Sequence, residues 1–277
     1  MSVSETADVV ICGGAAIGSS VAYHLAADPG FTGKVVVIEK DPTYRYSASI
    51  RQQVSSAVNI RISLFGIDSL GSIGTHLAVD GEVPAIDLHE GGYLYLAGEA
   101  GKGILEANQK LQQQEGADIA LYAADMLRSK FPWLNTSDLA CGSFGVSGEG
   151  WFDGWALLQA FRKKARSLGI EYRQGEVARY LTENSRVTGV ELADGSRIAC
   201  GAVVNASGTH GARLAATAGI DIPVRSMKRY VFTFTCKGDV DGCPLLIDTN
   251  GAWCRPEGQR TAEGQLFIGS CSPLTPE

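Results

Sequence analysis

Two short apolar runs joined by a small-residue turn and a helical stretch dominate the first forty positions. Asp8-Val9-Val10-Ile11-Cys12 is a continuous apolar run of strand length, followed by Gly13-Gly14-Ala15-Ala16-Ile17-Gly18. Residues Ala16 to Ala27 then place Ile17, Val21, Ala22 and Leu25 at helical spacing, and Val35-Val36-Val37-Ile38 forms a second apolar strand that ends on Glu39. The order strand, turn, helix, strand, acid predicts a nucleotide-binding βαβ unit.

The physical reason lies in the turn. Glycines let the backbone approach a pyrophosphate while a helix N-terminus offers free N–H groups and a partial positive charge. Gly13 suits the tight turn, Gly18 lets the helix lie close on the strand, and Glu39 follows about 20 residues on, where a carboxylate can accept both hydroxyls of an adenosine ribose. The second glycine of the G-x-G-x-x-G pattern is Ala15, whose methyl group narrows the closest approach to the phosphates.

Further along, Asp41 to Ser49 reads as a polar turn, and Ile50 to Leu70 as a helix with Ile60, Leu64 and Ile67 on one face. Gly91 to Ala97 is strand-like, and a polar helix covers Gly103 to Gln114. Gly154 to Leu168 is amphipathic (Trp155, Leu157, Leu158, Phe161, Ala165), with a strand at Ile170-Glu171-Tyr172-Arg173 after it. A hairpin follows, Val187 to Leu192 and Ser196 to Cys200 about an Asp194-Gly195 turn, then a strand Ala202-Val203-Val204-Asn205 ending in Ala206-Ser207-Gly208. Small residues at a strand's C-terminal end are where α/β sheets hold ligands. The remainder is again strand-like: Lys228 to Cys236, where Tyr230, Phe232 and Phe234 share one face as core packing would have them, Leu245 to Asp248, and Gln265 to Gly269.

This pattern predicts an α/β fold of two discontinuous domains. A Rossmann-type dinucleotide-binding domain takes residues 1–80 and 146–221, and a mainly antiparallel-sheet substrate domain takes 81–145 and 222–277. With 277 residues and 45% hydrophobic content the chain can bury a sizeable core. The net charge of -6 and the lack of a long basic run argue against nucleic acid or an anionic membrane as partner. No leader is legible before the first strand and no apolar run is long enough to span a membrane, so cytoplasmic placement without membrane insertion is expected. The seven cysteines are scattered and read as reduced, mostly core thiols, and the four histidines lack ligand spacing, so no metal site is expected.

The ordered set Gly13 to Tyr23, Ile50-Arg51-Gln52-Gln53, Gly92-Tyr93-Leu94, Gly150-Trp151-Phe152-Asp153 and Val204-Asn205-Ala206-Ser207-Gly208 resembles the FAD-dependent D-amino-acid oxidase superfamily. The closest branch is that of the sarcosine, dimethylglycine and glycine oxidoreductases and the FAD-dependent oxidoreductase domain-containing proteins. The resemblance implies FAD as cofactor. It implies that Gly13, Gly14, Ala15, Ala16, Ile17 and Gly18 face its pyrophosphate and that Glu39 and Lys40 meet the adenosine. Val177 would meet the adenine through its backbone, Ala206, Ser207 and Gly208 would line the nucleotide from the far side, and Ser49, Arg51, Gln52 and Gln53 would lie near the flavin ring. Two departures stand out. The stretch from Glu39 to Ser49 is shorter than the family's loop, which alters how Ser47 and Ser49 would meet the cofactor. The family also continues, past the position of Glu277, into a closing segment with a second glycine-rich turn, so these 277 residues are expected to bind FAD poorly and to turn over slowly or not at all.

The reaction so implied is oxidation of the C–N bond of a small amino acid or N-methylated glycine, by hydride transfer to flavin N5, with oxygen or an electron carrier as final acceptor. An amino-acid substrate needs its carboxylate held, and arginine's planar fork does this bidentately. Arg51 is the first candidate, then Arg229 and Arg255; Gln53 and Tyr230 complete the set of candidate catalytic residues, and His210 is a candidate phosphate or ribose contact. Two alternatives stay open: a truncated or non-catalytic FAD-binding relative acting through protein partners, and a nicotinamide-dependent dehydrogenase.

Overall fold

The computed structural model describes residues 5–43 and 48–271. Ser47, most of the expected 41–49 turn beyond Thr43, and the closing stretch Leu274 to Glu277 lie outside the described residues. Two compact units divide the chain: one is drawn from Met1–Ser47, Ile73–Ile86 and Asp153–Met227, the other from Ala48–Ser72, Asp87–Phe152 and Lys228–Glu277.

The first unit is built on a six-stranded sheet in the order Glu171–Gln174, Val35–Glu39, Glu5–Cys12, Arg197–Asn205, Arg186–Leu192, Val177–Glu183. Its first four strands run parallel, and the last two add antiparallel. The apolar runs seen in the sequence are its centre: Val10, Ile11, Val36 and Val37 are wholly buried, as expected for parallel strands covered on both faces. The helices Ala16–Ala27 and Gly154–Ser167 pack on each other, with Tyr23 and Phe161 rings 5.7 Å apart. Asp153 caps the second of these helices by accepting from Ala156 N at 3.0 Å.

The second unit has a seven-stranded sheet in the order Phe232–Cys236, Gln265–Cys271, Ala252–Pro256, Leu245–Ile247, Tyr93–Ala97, Cys141–Gly145, Ile119–Ala123. Only the Leu245–Ile247 and Tyr93–Ala97 pair is parallel. Leu94, Leu96 and Leu246 on one face pack with Leu127, Phe131 and Leu134 from the region of the Ala124–Lys130 helix. A two-stranded ribbon, Ala48–Ile50 with Gly150–Phe152, completes the unit.

Several sequence expectations are corrected. Ile50 belongs to the ribbon, and the helix begins only at Ala57, after the Ser56 cap, with Ile60 its one fully buried residue. The expected strands Ser196 to Cys200 and Ala202 to Asn205 are one strand, Arg197–Asn205, paired antiparallel through its first third and parallel to Glu5–Cys12 along nearly all its length. In the first helix Ala22 is buried as expected, but Ile17 is 72% exposed, and Gly18, Ser19 and Tyr23 complete the buried face. The last-sheet edge strand covers only Phe232–Cys236; Tyr230 precedes it and is 60% exposed, so it packs in no core. An edge strand has partners on one side only, and here its aromatic row faces outward. The cysteines are free, but only Cys12, Cys141 and Cys243 are buried. Among the described residues, no helix is long and apolar enough to cross a membrane.

Candidate functional site

The turn after the first strand has the geometry that a pyrophosphate cradle requires. Gly13 adopts φ 103°, a left-handed conformation open to glycine, and a Cβ there would overlap the carbonyl oxygen of Ala206. A Cβ at Gly18 would likewise overlap the Gly13 carbonyl oxygen. The two glycines therefore let three backbone segments meet: the turn, the start of the helix and the end of Arg197–Asn205. Ala15 forms the helix N-cap with extended backbone (φ -73°, ψ -165°) and provides no side-chain cap, so the first-turn N–H groups keep their capacity for a ligand.

Glu39 ends its strand facing this turn. Its Oε2 accepts from Gly14 N at 2.6 Å and its Oε1 from Asp41 N at 2.7 Å. Each carboxylate oxygen retains a lone pair, so a vicinal diol can be accepted without displacing either bond. A cavity of about 700 Å³ opens here, walled by Gly13, Ala15, Ala16 and Ile17 on one side, by Glu39 and Lys40 at the strand end, by Val177, and by Ala206, Ser207 and Gly208 opposite. Gly14 and Gly18 shape this wall from behind. His210 lies at its rim beside Arg213 and Glu176, and the Glu176 carboxylate pairs with Lys40 Nζ at 3.0 Å. Cys12 lines the cavity floor, and burial pushes its thiol up to about 12, so it stays protonated and unreactive.

One residue that sequence reasoning missed holds the turn. Arg162, buried on the Gly154–Ser167 helix, donates from Nε and Nη2 to Gly14 O at 3.1 and 2.9 Å, and from Nη1 to Pro42 O at 3.0 Å. Ser19 Oγ donates to the same Gly14 carbonyl at 2.8 Å. The only sequence signal was a cation within an otherwise regular amphipathic helix, which reads as a solvated position.

The second unit gathers a different set. Arg51 follows the Ala48–Ile50 strand and is exposed; among the described residues it forms no hydrogen bond or ion pair. Gln52 and Gln53 are buried beside it. Tyr93 is buried, which raises its phenol above the ordinary range, against the nearby Ser49 hydroxyl and the positive charges of Arg51 and Arg255. Arg255 is 4% exposed, its guanidinium lies 5.4 Å from the Trp151 ring, and Nη1 pairs with Glu257 at 2.5 Å. Desolvation lowers its pKa, with Glu257 opposing. Ser49, Arg51, Gln53 and Arg255 thus surround or reach Tyr93, whereas Tyr230 and Arg229 lie in the irregular stretch before the edge strand.

A glycine-sealed turn, a strand-end acid and a cavity of about 700 Å³ at the end of a largely parallel sheet define a dinucleotide-binding α/β protein. Residues 8–276 match the family described as DAO, FAD dependent oxidoreductase, and the chain belongs to that family. FAD is its cofactor, and the residues just described fit the adenosine and pyrophosphate half of that molecule. The chain is 37% identical, over 99% of its length, to FAD-dependent oxidoreductase domain-containing protein 1 of Bos taurus, of which it spans 63%. It is 27% identical over 79% of its length to sarcosine oxidase subunit beta of Arthrobacter sp, covering 55% of that protein. L-proline dehydrogenase from P.horikoshii shares the fold, with a TM-score of 0.76 at 24% identity, over 97% of this chain and 70% of that one.

Proposed function

We propose that this protein oxidises the C–N bond of a small amino acid or N-methylated glycine, and that Arg51 receives the substrate's carboxylate. The observation that carries the reading is the state of Arg51: an exposed guanidinium with no hydrogen bond or ion pair among the described residues, its charge felt at the buried Tyr93 phenol. A fork of N–H donors left uncommitted beside an aromatic wall suits a carboxylate. The names of relatives point the same way, sarcosine oxidase subunit beta and glycine oxidase of Pseudomonas putida among them.

When bound, FAD supplies the hydride acceptor for a C–H next to nitrogen. The protein's part is positional. In the first unit Gly13, Gly14, Ala15, Ala16, Ile17 and Gly18 hold the pyrophosphate, Glu39 and Lys40 the adenosine, Val177 the adenine, and Ala206, Ser207 and Gly208 the opposite side. In the second unit Arg51 binds the carboxylate, Arg255 adds positive field from a buried position, and Gln53 fixes the local backbone. Tyr230 has no part in this reading, because its exposure leaves it nothing to shape. Water hydrolyses the resulting imine, and oxygen or an electron carrier takes the electrons.

The test is anaerobic mixing of FAD-loaded protein with sarcosine, dimethylglycine, glycine and D-amino acids, watching the flavin band bleach. Arg51→Gln is expected to raise KM for the responsive substrate about 10- to 100-fold, the equivalent of one charged hydrogen-bonding contact of about 1.5–3 kcal/mol. Arg51→Lys should recover part of it, because a point charge replaces the fork. FAD that stays oxidised with every amine would favour the non-catalytic reading.

A further inference from the structure

Glu149 is a wholly buried carboxylate that the cofactor cradle does not use. Its partners are all N–H donors: Oε1 accepts from Gln52 N at 2.5 Å and Gln53 N at 2.9 Å, Oε2 accepts from Gln53 Nε2 at 2.7 Å, and the nearby backbone of Tyr93 also favours the charged form. A proton on either oxygen would find no acceptor in this set, so these bonds favour the ionised form. Among the described residues no Lys or Arg pairs with it. Space has been cleared for it, since a Cβ on Gly145 would overlap the Glu149 carboxylate.

Burying an anion without a counter-ion costs several kcal/mol, and the N–H donors that offset that cost here are those of Gln52 and Gln53. What it fixes is the backbone on the far side of Arg51. Before Arg51, Ile50 pairs with Gly150 across the ribbon; after it, Gln52 and Gln53 are bonded to Glu149, the residue preceding Gly150. Gln52 Nε2 also donates to Gly148 O at 3.0 Å, and Gln53 Nε2 to Tyr93 O at 3.1 Å. Arg51 is therefore gripped on both sides by one short stretch of chain, residues 148–150.

Resting on the reading of Arg51 as carboxylate receptor, we propose that Glu149 is a positioning residue whose buried charge clamps Gln52 and Gln53 and so aims Arg51. The charged and titratable groups around it are the phenols of Tyr93 and Tyr95, Arg51 and Arg255 acting on Tyr93, and Glu90, which accepts from Gly148 N at 2.8 Å. Burial outweighs the donors and raises the proton affinity of Glu149 above that of an ordinary glutamate.

The experiment uses the full chain labelled with 15N-glutamine, following Gln52 and Gln53 from pH 8 to pH 4. The two backbone amides and the Gln53 side-chain amide are expected to move together in one titration whose midpoint lies above the ordinary glutamate range. Glu149→Asp should keep a weakened form of that transition and Glu149→Gln should lose it. If these amides titrate separately, or do not move at all over this range in the unmodified chain, the clamp is refuted even where Glu149→Gln fails to fold. In turnover by the FAD-loaded protein, Glu149→Gln should raise KM at least about 10-fold, with kcat changed by less than about 3-fold. Unchanged KM in Glu149→Gln beside a raised KM in Arg51→Gln overturns the positioning role alone; unchanged KM in Arg51→Gln overturns the substrate reading.

Discussion

Gly18→Ala is expected to abolish measurable FAD binding and to lower Tm by several degrees, although it adds a single methyl group. That methyl would sit on the carbonyl oxygen of Gly13, a backbone atom that cannot rotate away. The helix must therefore lift off the strand, and overpacking of this kind costs about 1–3 kcal/mol. Because the displaced atoms are those proposed to face the pyrophosphate, the loss in affinity should reach about 100-fold or more, which corresponds to about 2.7 kcal/mol. Gly103→Ala is the matched control. Gly103 lies within the Glu99–Gln114 helix and a Cβ there meets nothing within 4 Å, so the same substitution should raise stability by about 0.5–1 kcal/mol and leave FAD binding alone. Thermal unfolding and a fluorescence titration with FAD read both variants; equal behaviour of the two would contradict the cradle.

Glu39→Ala carries the second large effect. The carboxylate joins Gly14 N to Asp41 N, so it fixes the turn before any ligand arrives, and its remaining lone pairs are the ones proposed to receive the ribose. Its removal leaves the Gly14 N–H without its partner and deletes one charged contact, for an expected 10- to 100-fold loss of FAD affinity at about 1.5–3 kcal/mol. Glu39→Gln separates the two roles. An amide can still accept one N–H through its oxygen, so the turn survives better than in the alanine variant, while the ribose contact weakens. Calorimetric titration of the three proteins should rank them unmodified, Gln, Ala; an alanine variant that binds FAD as tightly as the unmodified chain would remove Glu39 from the site.

The parts of this architecture that could be read from sequence are those fixed by local chemistry. The helix bounds Ala16–Ala27 and the strand Val35–Glu39 follow from apolar period and glycine placement within forty residues. Local pattern divides Arg197–Asn205 in two because its early residues pair antiparallel with a hairpin partner while the strand as a whole runs parallel to the N-terminal strand. Such a change of partner leaves no mark on local periodicity. Ile17 and Tyr230 illustrate a related limit: spacing proposes a face, but tertiary packing decides which face is covered, and both are exposed. Arg162 and Glu149 were invisible for a third reason. Charged residues read as solvent-facing, and only the three-dimensional arrangement of backbone carbonyls around one and N–H groups around the other shows that each is buried and satisfied.

The claim on which everything else depends is that the first unit by itself recognises the adenosine diphosphate half of FAD, and competitive titration with FAD, ADP and FMN tests it directly. FAD and ADP are expected to compete for one site, both weakened by Glu39→Ala, while FMN fails to displace either because the turn, the strand-end acid and the cavity wall address the half it lacks. Displacement of FAD by FMN but not by ADP would contradict the account.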